Sequence, residues 1–81
     1  MRIHNQEGGV RREIVAALVA SGITEFEADM RADAALERGC TFFCEQVRLA
    51  RVSSPQASAA TSQAAVLTAI SALHTWALQN A

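Results

Sequence analysis

The last stretch of the chain, from Val52 to Ala81, contains no Asp, Glu, Lys or Arg, because every charged side chain lies between Arg2 and Arg51. The larger apolar residues of this stretch still recur at helical spacing, which indicates a helix and not a solvated tail. A helix without a charged face is expected to be buried on more than one side. The chain therefore has to fold as packed helices.

Length and net charge narrow the class of protein. With 81 residues the chain forms one domain, and a core of that size hides only about 60% of the unfolded surface, so association with another chain would stabilise it. The net charge of −1 provides no basic surface for nucleic acid. These properties favour a protein partner.

The termini and cysteines predict a cytoplasmic protein. The N-terminal sequence MRIHNQEGG has no apolar signal region, and two cysteines are too few for a disulfide framework in so small a chain. Gln63 and many Ser and Thr residues interrupt the charge-free stretch, which therefore lacks the roughly 20 apolar residues of a membrane span. We expect no membrane association.

The N-terminal part predicts a flexible arm and a short helix. Residues 1 to 9 have little pattern and end in two glycines, so we expect an arm there, followed by a single helical domain over residues 10 to 81. Apolar residues at helical spacing predict a helix from Val10 to Ala20. Ser21 and Gly22 are expected to end it.

Two start signals predict two further helices. Thr24 and Glu27 have the spacing of a capping box, which places the start of a long helix near Thr24. The next strong breaker is Ser53-Ser54-Pro55, so this helix is expected to run to about Val52, with Gly39 as its weak point. The third helix would begin at Pro55 and fold back antiparallel to the second.

The second predicted helix has an apolar face that covers half of its circumference. On a helical wheel this face divides into a stripe of larger residues, expected to contact the third helix, and a stripe of small residues, expected to contact the first helix or a second subunit. The larger stripe is Leu36, Cys40, Phe43 and Val47, and the small stripe is Ala28, Ala32, Ala35 and Gly39. The matching seam of the third helix is Ala59, Val66, Ile70, Leu73 and Ala77.

These patterns predict an all-α fold. We expect an antiparallel helical hairpin of two long helices, with the short N-terminal helix packed across it. One neighbour cannot cover an apolar half-circle, so the hairpin is expected to form a dimeric bundle. The expected partners are a second copy of the chain and another protein.

Candidate catalytic and metal-binding residues do not assemble into a site. Cys40 and Cys44 are one helical turn apart, but only His4 and His74 remain to complete a ligand set, and the spacing is not that of a zinc motif. His74 near a thiol lacks the third group and the oxyanion donors of a nucleophilic site. We therefore predict a protein that is not an enzyme and has no metal or cofactor, with both thiols acting as small apolar groups.

Residues 12 to 36 have the outline of a helix-turn-helix. The helix that would enter the major groove begins with several acids, which would repel phosphates: Glu25, Glu27, Asp29 and Asp33. DNA binding is therefore kept only as an alternative function.

Two segments carry a family resemblance. The run from Asp33 to Ala50, and the run from Ala64 to Leu78, resemble the corresponding helices of small two-helix proteins from pseudomonads, among them the anti-activators that restrain quorum sensing by binding a LuxR-type receptor. The similarity covers about half the chain. It implies a helical dimer that sequesters a transcription factor through protein contacts, and it transfers no site residues.

The sequence thus predicts a regulatory protein that binds and inhibits a partner protein. The predicted contact residues are the apolar side chains left outside the seam of the hairpin, namely Phe42, Leu49, Leu67, Trp76 and Leu78. Exposed together, they would exceed the apolar patch of an ordinary soluble monomer. Two alternative functions remain: a small helix-turn-helix DNA-binding regulator and a helical chaperone for a secretion subunit.

Overall fold

Four α-helices make up the structure, a computed structural model that describes residues 2–54 and 59–80. In chain order these are α1 (Arg2–Ala20), α2 (Glu25–Arg38), α3 (Cys40–Ser53) and α4 (Ala59–Gln79). No strand occurs within these two ranges. The all-α prediction is confirmed.

The first helix is longer than the sequence pattern indicated. It begins at Arg2, so residues 2 to 9, which were expected to form an arm, are helical. The predicted end is correct, because Ser21 and Gly22 form a turn in which Gly22 has a φ of +111°. The predicted start of the last helix at Pro55 lies outside the described residues.

A single glycine divides the long second helix that was predicted. Gly39 has a φ of +91° and a ψ of −171°, a conformation that residues with a side chain rarely adopt. Its N–H still donates to the Ala35 carbonyl at 2.7 Å, so α2 is closed normally before the chain changes direction into α3. The prediction of one helix from Thr24 to Val52 is wrong for this reason.

The side-chain cap predicted at the start of α2 is present. The Thr24 hydroxyl accepts a hydrogen bond from the Glu27 N–H at 3.3 Å, which caps the helix. The Glu27 carboxylate lies 3.9 Å from the Arg31 guanidinium, one turn further along the helix. The side-chain cap explains why this boundary could be placed from the sequence.

The helices pair differently from the predicted hairpin. The most extensive interface joins α1 with α4, and α1 also packs on α2, so α1 lies at the centre of the bundle. Its buried residues Ile14, Ala17 and Leu18 supply much of the core. α4 packs more extensively on α1 than on α3. This contradicts the predicted hairpin, in which the last helix would pack mainly on the helix before it.

The buried face of α4 is rotated from the predicted seam. Ala69 and Leu73 are buried and Ala77 is exposed, while Ala65 and Trp76, which lie outside the predicted seam, pack partly against the core. The rotation follows from the central position of α1, which covers the side of α4 that carries Ala69 and Trp76. On α2 the small residues Ala28, Ala32 and Ala35 are buried in the same cluster as the α1 side chains.

Candidate protein-binding surface

The outward face of α4 combines exposed apolar residues with uncharged polar ones. Leu67 is 61% exposed and Leu78 is 82% exposed. Ser71 and His74 are also exposed. The spacing of four, three and four residues places these positions on one side of the helix, so they form a continuous face, here called the α4 face, without a charged side chain.

Two shallow grooves border the α4 face where α4 meets α1. One groove, of about 490 Å³, is lined by Leu67, and its neighbour, of about 410 Å³, is lined by Trp76. Both grooves are also lined by Glu13 and Ala72, so they adjoin each other. Glu13 therefore contributes an acidic residue to both grooves, one of which holds Leu67 and the other Trp76.

The other predicted contact residues lie elsewhere. Phe42 is half-buried against the core, and the Arg38 guanidinium carbon lies 5.0 Å from the centre of its ring. This geometry is a cation–π contact. Leu49 is exposed on α3 and lines a separate cleft, shared with Gly22, Gln46 and Ser54. The structure therefore places Leu67 and Trp76 in two adjoining grooves, whereas Leu49 lines a separate cleft.

The cleft beside Leu49 contains an unusual polar group. Gln46 is buried, and its Oε1 atom has no hydrogen-bond partner among the described residues. A buried acceptor without a donor costs about 1 to 3 kcal/mol. The cleft is small, about 190 Å³, which is below the usual size of ligand pockets, about 300 to 1,000 Å³.

Four exposed apolar residues were not predicted from the sequence, and one of them is Val19 on α1, which is 43% exposed. Phe26 and Met30 on α2 are 76% and 62% exposed, and Val52 at the end of α3 is 71% exposed. The spacing of Phe26 and Met30 was the available signal, because residues four apart share a helix face. They were overlooked because acidic residues surround them.

A buried hydrogen-bond relay joins three helices. The Ser21 hydroxyl donates to the Ala17 carbonyl at 2.9 Å and lies 2.9 Å from the Ser62 hydroxyl. Since the single Ser21 hydrogen is used on Ala17, Ser62 donates to Ser21 and in turn accepts from the Arg51 guanidinium at 3.1 Å. The relay fixes α3 and α4 to the end of α1.

Arg11 ties α1 to the acidic side of α2. Its guanidinium lies 2.8 Å from an Asp33 carboxylate oxygen and 3.3 Å from an Asp29 oxygen. The hydrogen bond from Arg11 lowers the pKa of Asp33 and raises the pKa of Arg11. Two of the four acids that argued against a recognition helix are therefore paired within the chain.

The thiols are both free. Cys40 is half-buried and Cys44 is exposed. Burial, with a smaller contribution from the neighbouring Cys44, raises the pKa of Cys40 and so disfavours its thiolate. Among the described side chains, those of residues 9–54 and 62–80, no group of three or more His, Cys, Asp or Glu is placed to hold a metal ion.

Comparisons with known proteins give no relative. No family model, curated protein or solved structure matches the chain. Across the described part of the chain, none of the helices combines the length and apolar character needed to cross a membrane.

Proposed function

We propose that this protein is a non-enzymatic cytoplasmic regulator that binds and inhibits a transcription regulator, with a LuxR-type quorum-sensing receptor as the specific candidate. The proposal includes association of the free protein with a second copy. The observation that carries it is the α4 face, where exposed Leu67 and Leu78 flank polar residues and no Asp, Glu, Lys or Arg is present. Such a face loses little hydration free energy when a partner covers it.

The two grooves beside the α4 face indicate the chemistry of the partner. Leu67 supplies an apolar wall to one groove and Trp76 to the other, and Glu13 lines both. Half-buried tryptophan is a frequent anchor of protein interfaces. A complementary surface would present apolar side chains with one Arg or Lys at their edge.

The test is co-purification of the tagged chain with a LuxR-type receptor, together with a measurement of receptor binding to its operator. We expect the wild-type chain to capture the receptor and to reduce operator binding. Leu67→Arg and Leu78→Arg should each weaken capture at least tenfold, since an interface would then bury an unpaired charge. Both residues are exposed, so the helical content should not change.

Val19→Arg is the matched control. Val19 is an exposed apolar residue of α1 that lines neither groove, so this variant should capture the receptor as the wild type does. Equal capture by wild type and Leu67→Arg would contradict the proposed surface. A salt-sensitive shift of duplex DNA by the chain alone would favour the DNA-binding alternative, and recovery of an export subunit in place of the receptor would favour the chaperone alternative.

A further inference from the structure

The exposed side of α2 carries apolar residues in line with an acid. Met30 is 62% exposed, and Glu37 is exposed seven residues later. Seven residues are close to two helical turns, so both side chains lie on one face, about 11 Å apart along the axis. Phe26 extends this face by one further turn. We call Phe26, Met30 and Glu37 the α2 strip.

A groove of about 420 Å³ lies between α3 and α4. Its walls are apolar side chains with guanidinium groups at the rim, namely Cys44, Val47, Val52, Val66, Arg48 and Arg51. The α3 wall runs from Cys44 to Val52, eight residues or about 12 Å. This groove, here called the α3–α4 groove, shares no lining residue with the two grooves beside the α4 face.

The charges of the groove are only partly satisfied within the chain. Arg48 pairs with Glu45 at 2.6 Å. Arg51 donates to the Ser62 hydroxyl, and among the side chains that the structure describes, those of residues 9–54 and 62–80, it has no carboxylate within ion-pair distance. Glu37 likewise has no cationic group within that distance among the described side chains. The same chain thus presents an unmatched cation beside an apolar groove and an unmatched anion beside an apolar strip.

We infer that the α3–α4 groove binds the α2 strip of a second copy of this chain. Met30 would enter the apolar groove near Cys44, Glu37 would pair with Arg51 at the other end, and Phe26 would cover the rim. The lengths agree, because the distance from Met30 to Glu37 is close to the length of the α3 wall. The matching charge and length favour a second copy over an unrelated partner.

This contact is heterologous, because it joins two different surfaces of one chain. It rests on the proposed function only in the statement that copies associate. It leaves the α4 face uncovered, so a regulator could bind the associated form. Self-association and capture of a regulator then depend on different residues and can be separated by substitution.

The experiment measures mass by light scattering for wild type, Met30→Glu, Val52→Glu and an equimolar mixture of the two variants. Wild type is expected at twice the 8.6 kDa chain mass or more. Each variant alone is expected at the monomer mass. Met30→Glu places a carboxylate in the apolar part of the α2 strip, and Val52→Glu places one in the apolar wall of the α3–α4 groove. The mixture is expected to recover a dimer, since the intact groove of one variant can take the intact strip of the other.

Three controls make the result decisive. Both substituted residues are largely exposed, so thermal melts should match wild type and exclude unfolding as the cause. Glu37→Arg should weaken association by placing like charges together, and Val19→Arg, outside both surfaces, should leave the mass unchanged. Association of wild type should also weaken as salt screens the Glu37 and Arg51 charges.

Wild-type mass for either single variant, or a mixture that stays monomeric, would overturn the inference. Monomeric wild-type protein would overturn it together with the self-association part of the proposed function. Capture of the receptor is measured separately. A chain that captures the receptor through Leu67 and yet fails the mixing test therefore refutes this contact alone.

Discussion

Gly22 and Ser54 lie against each other where the turn after α1 meets the end of α3. A Cβ atom added at Gly22 would lie 2.5 Å from the Ser54 Cβ and 2.8 Å from its Oγ. Ser54 Oγ also donates to the Gly22 carbonyl at 3.5 Å, a long hydrogen bond. The absence of a side chain at Gly22 therefore sets how closely the end of α3 can approach the end of α1.

Gly22→Ala is expected to destabilise the fold through two effects. The φ of +111° costs an alanine about 1 to 2 kcal/mol, and the clash with Ser54 adds about 1 to 3 kcal/mol. Urea denaturation would measure the sum. Gly39→Ala is the matched control, because its φ is also positive but no heavy atom lies within 4 Å of the added Cβ.

A substitution at Ser54 should remove the steric cost of Gly22→Ala and leave its backbone cost unchanged. In the Ser54→Gly background, Gly22→Ala should cost about as much as Gly39→Ala, since the clashing atoms are gone and the backbone strain remains. Equal costs for Gly22→Ala in both backgrounds would show that the approach of Ser54 is not tight.

Local signals account for what the sequence predicted correctly. The end of α1 before Ser21 and the start of α2 after Thr24 were predicted because a positive-φ glycine and a side-chain cap act within a few residues. The break at Gly39 was missed because a glycine inside a helix costs only about 1 kcal/mol, so the sequence does not distinguish a tolerated glycine from a kink. Whether the helix continues through Gly39 or breaks there depends on tertiary packing.

Local sequence patterns could not predict which helices pack on one another. The apolar arc of α4 is wide enough to face α1 or α3, and only the central position of α1 turns Trp76 inward. Leu67 and Leu78 were expected outside the seam, and both are exposed. The partners of Arg11 were missed because Asp29 and Asp33 are 18 and 22 residues away, a separation that no periodic pattern reports.

Asp33→Asn is expected to reduce the acid sensitivity of the protein. Arg11 lowers the Asp33 pKa in the folded state, so the pair stabilises the fold above the unfolded pKa, about 3.9, and this contribution is lost as the pH falls through the folded pKa. The pair is largely exposed, so its contribution is about 0.2 to 1 kcal/mol. The stability gap between wild type and variant should shrink below pH 4.

Glu13→Gln serves as the comparison for this measurement, since Glu13 has no ion pair among the side chains that the structure describes and lies outside the α2 strip and the α3–α4 groove. Urea denaturation of the three proteins between neutral and acid pH would give the curves. A gap between wild type and Asp33→Asn that stays constant as the pH falls would show that the Arg11 contact does not persist in solution.

Ser21→Ala and Ser62→Ala are expected to be coupled. Each should cost about 0.5 to 1.5 kcal/mol, because each breaks the buried hydroxyl pair that links α1 and α4. The double variant should cost less than the sum by a similar amount. Ser71→Ala, on the exposed side of α4, should change stability by less than about 0.5 kcal/mol. Strict additivity in a denaturation cycle would mean that the two hydroxyls do not bond.

Phe43→Arg and Phe42→Arg are expected to separate folding from binding. Phe43 is fully buried on α3, and loss of a core phenylalanine alone costs about 3 to 5 kcal/mol, before the added cost of an unpaired buried charge. A domain with about 5 to 15 kcal/mol of stability should then unfold. Phe42 is half-buried, so its variant should remain helical by circular dichroism while losing affinity for a partner.

The same contrast applies on α4. Leu73→Arg should unfold the chain because Leu73 is buried, whereas Trp76→Arg should stay helical and weaken partner binding, since Trp76 lines a surface groove. Thermal melts followed by circular dichroism, with capture of the receptor measured in parallel, distinguish the two classes. If Phe42→Arg melts as early as Phe43→Arg, then Phe42 belongs to the core, and α3 does not divide into a folding face and a binding face.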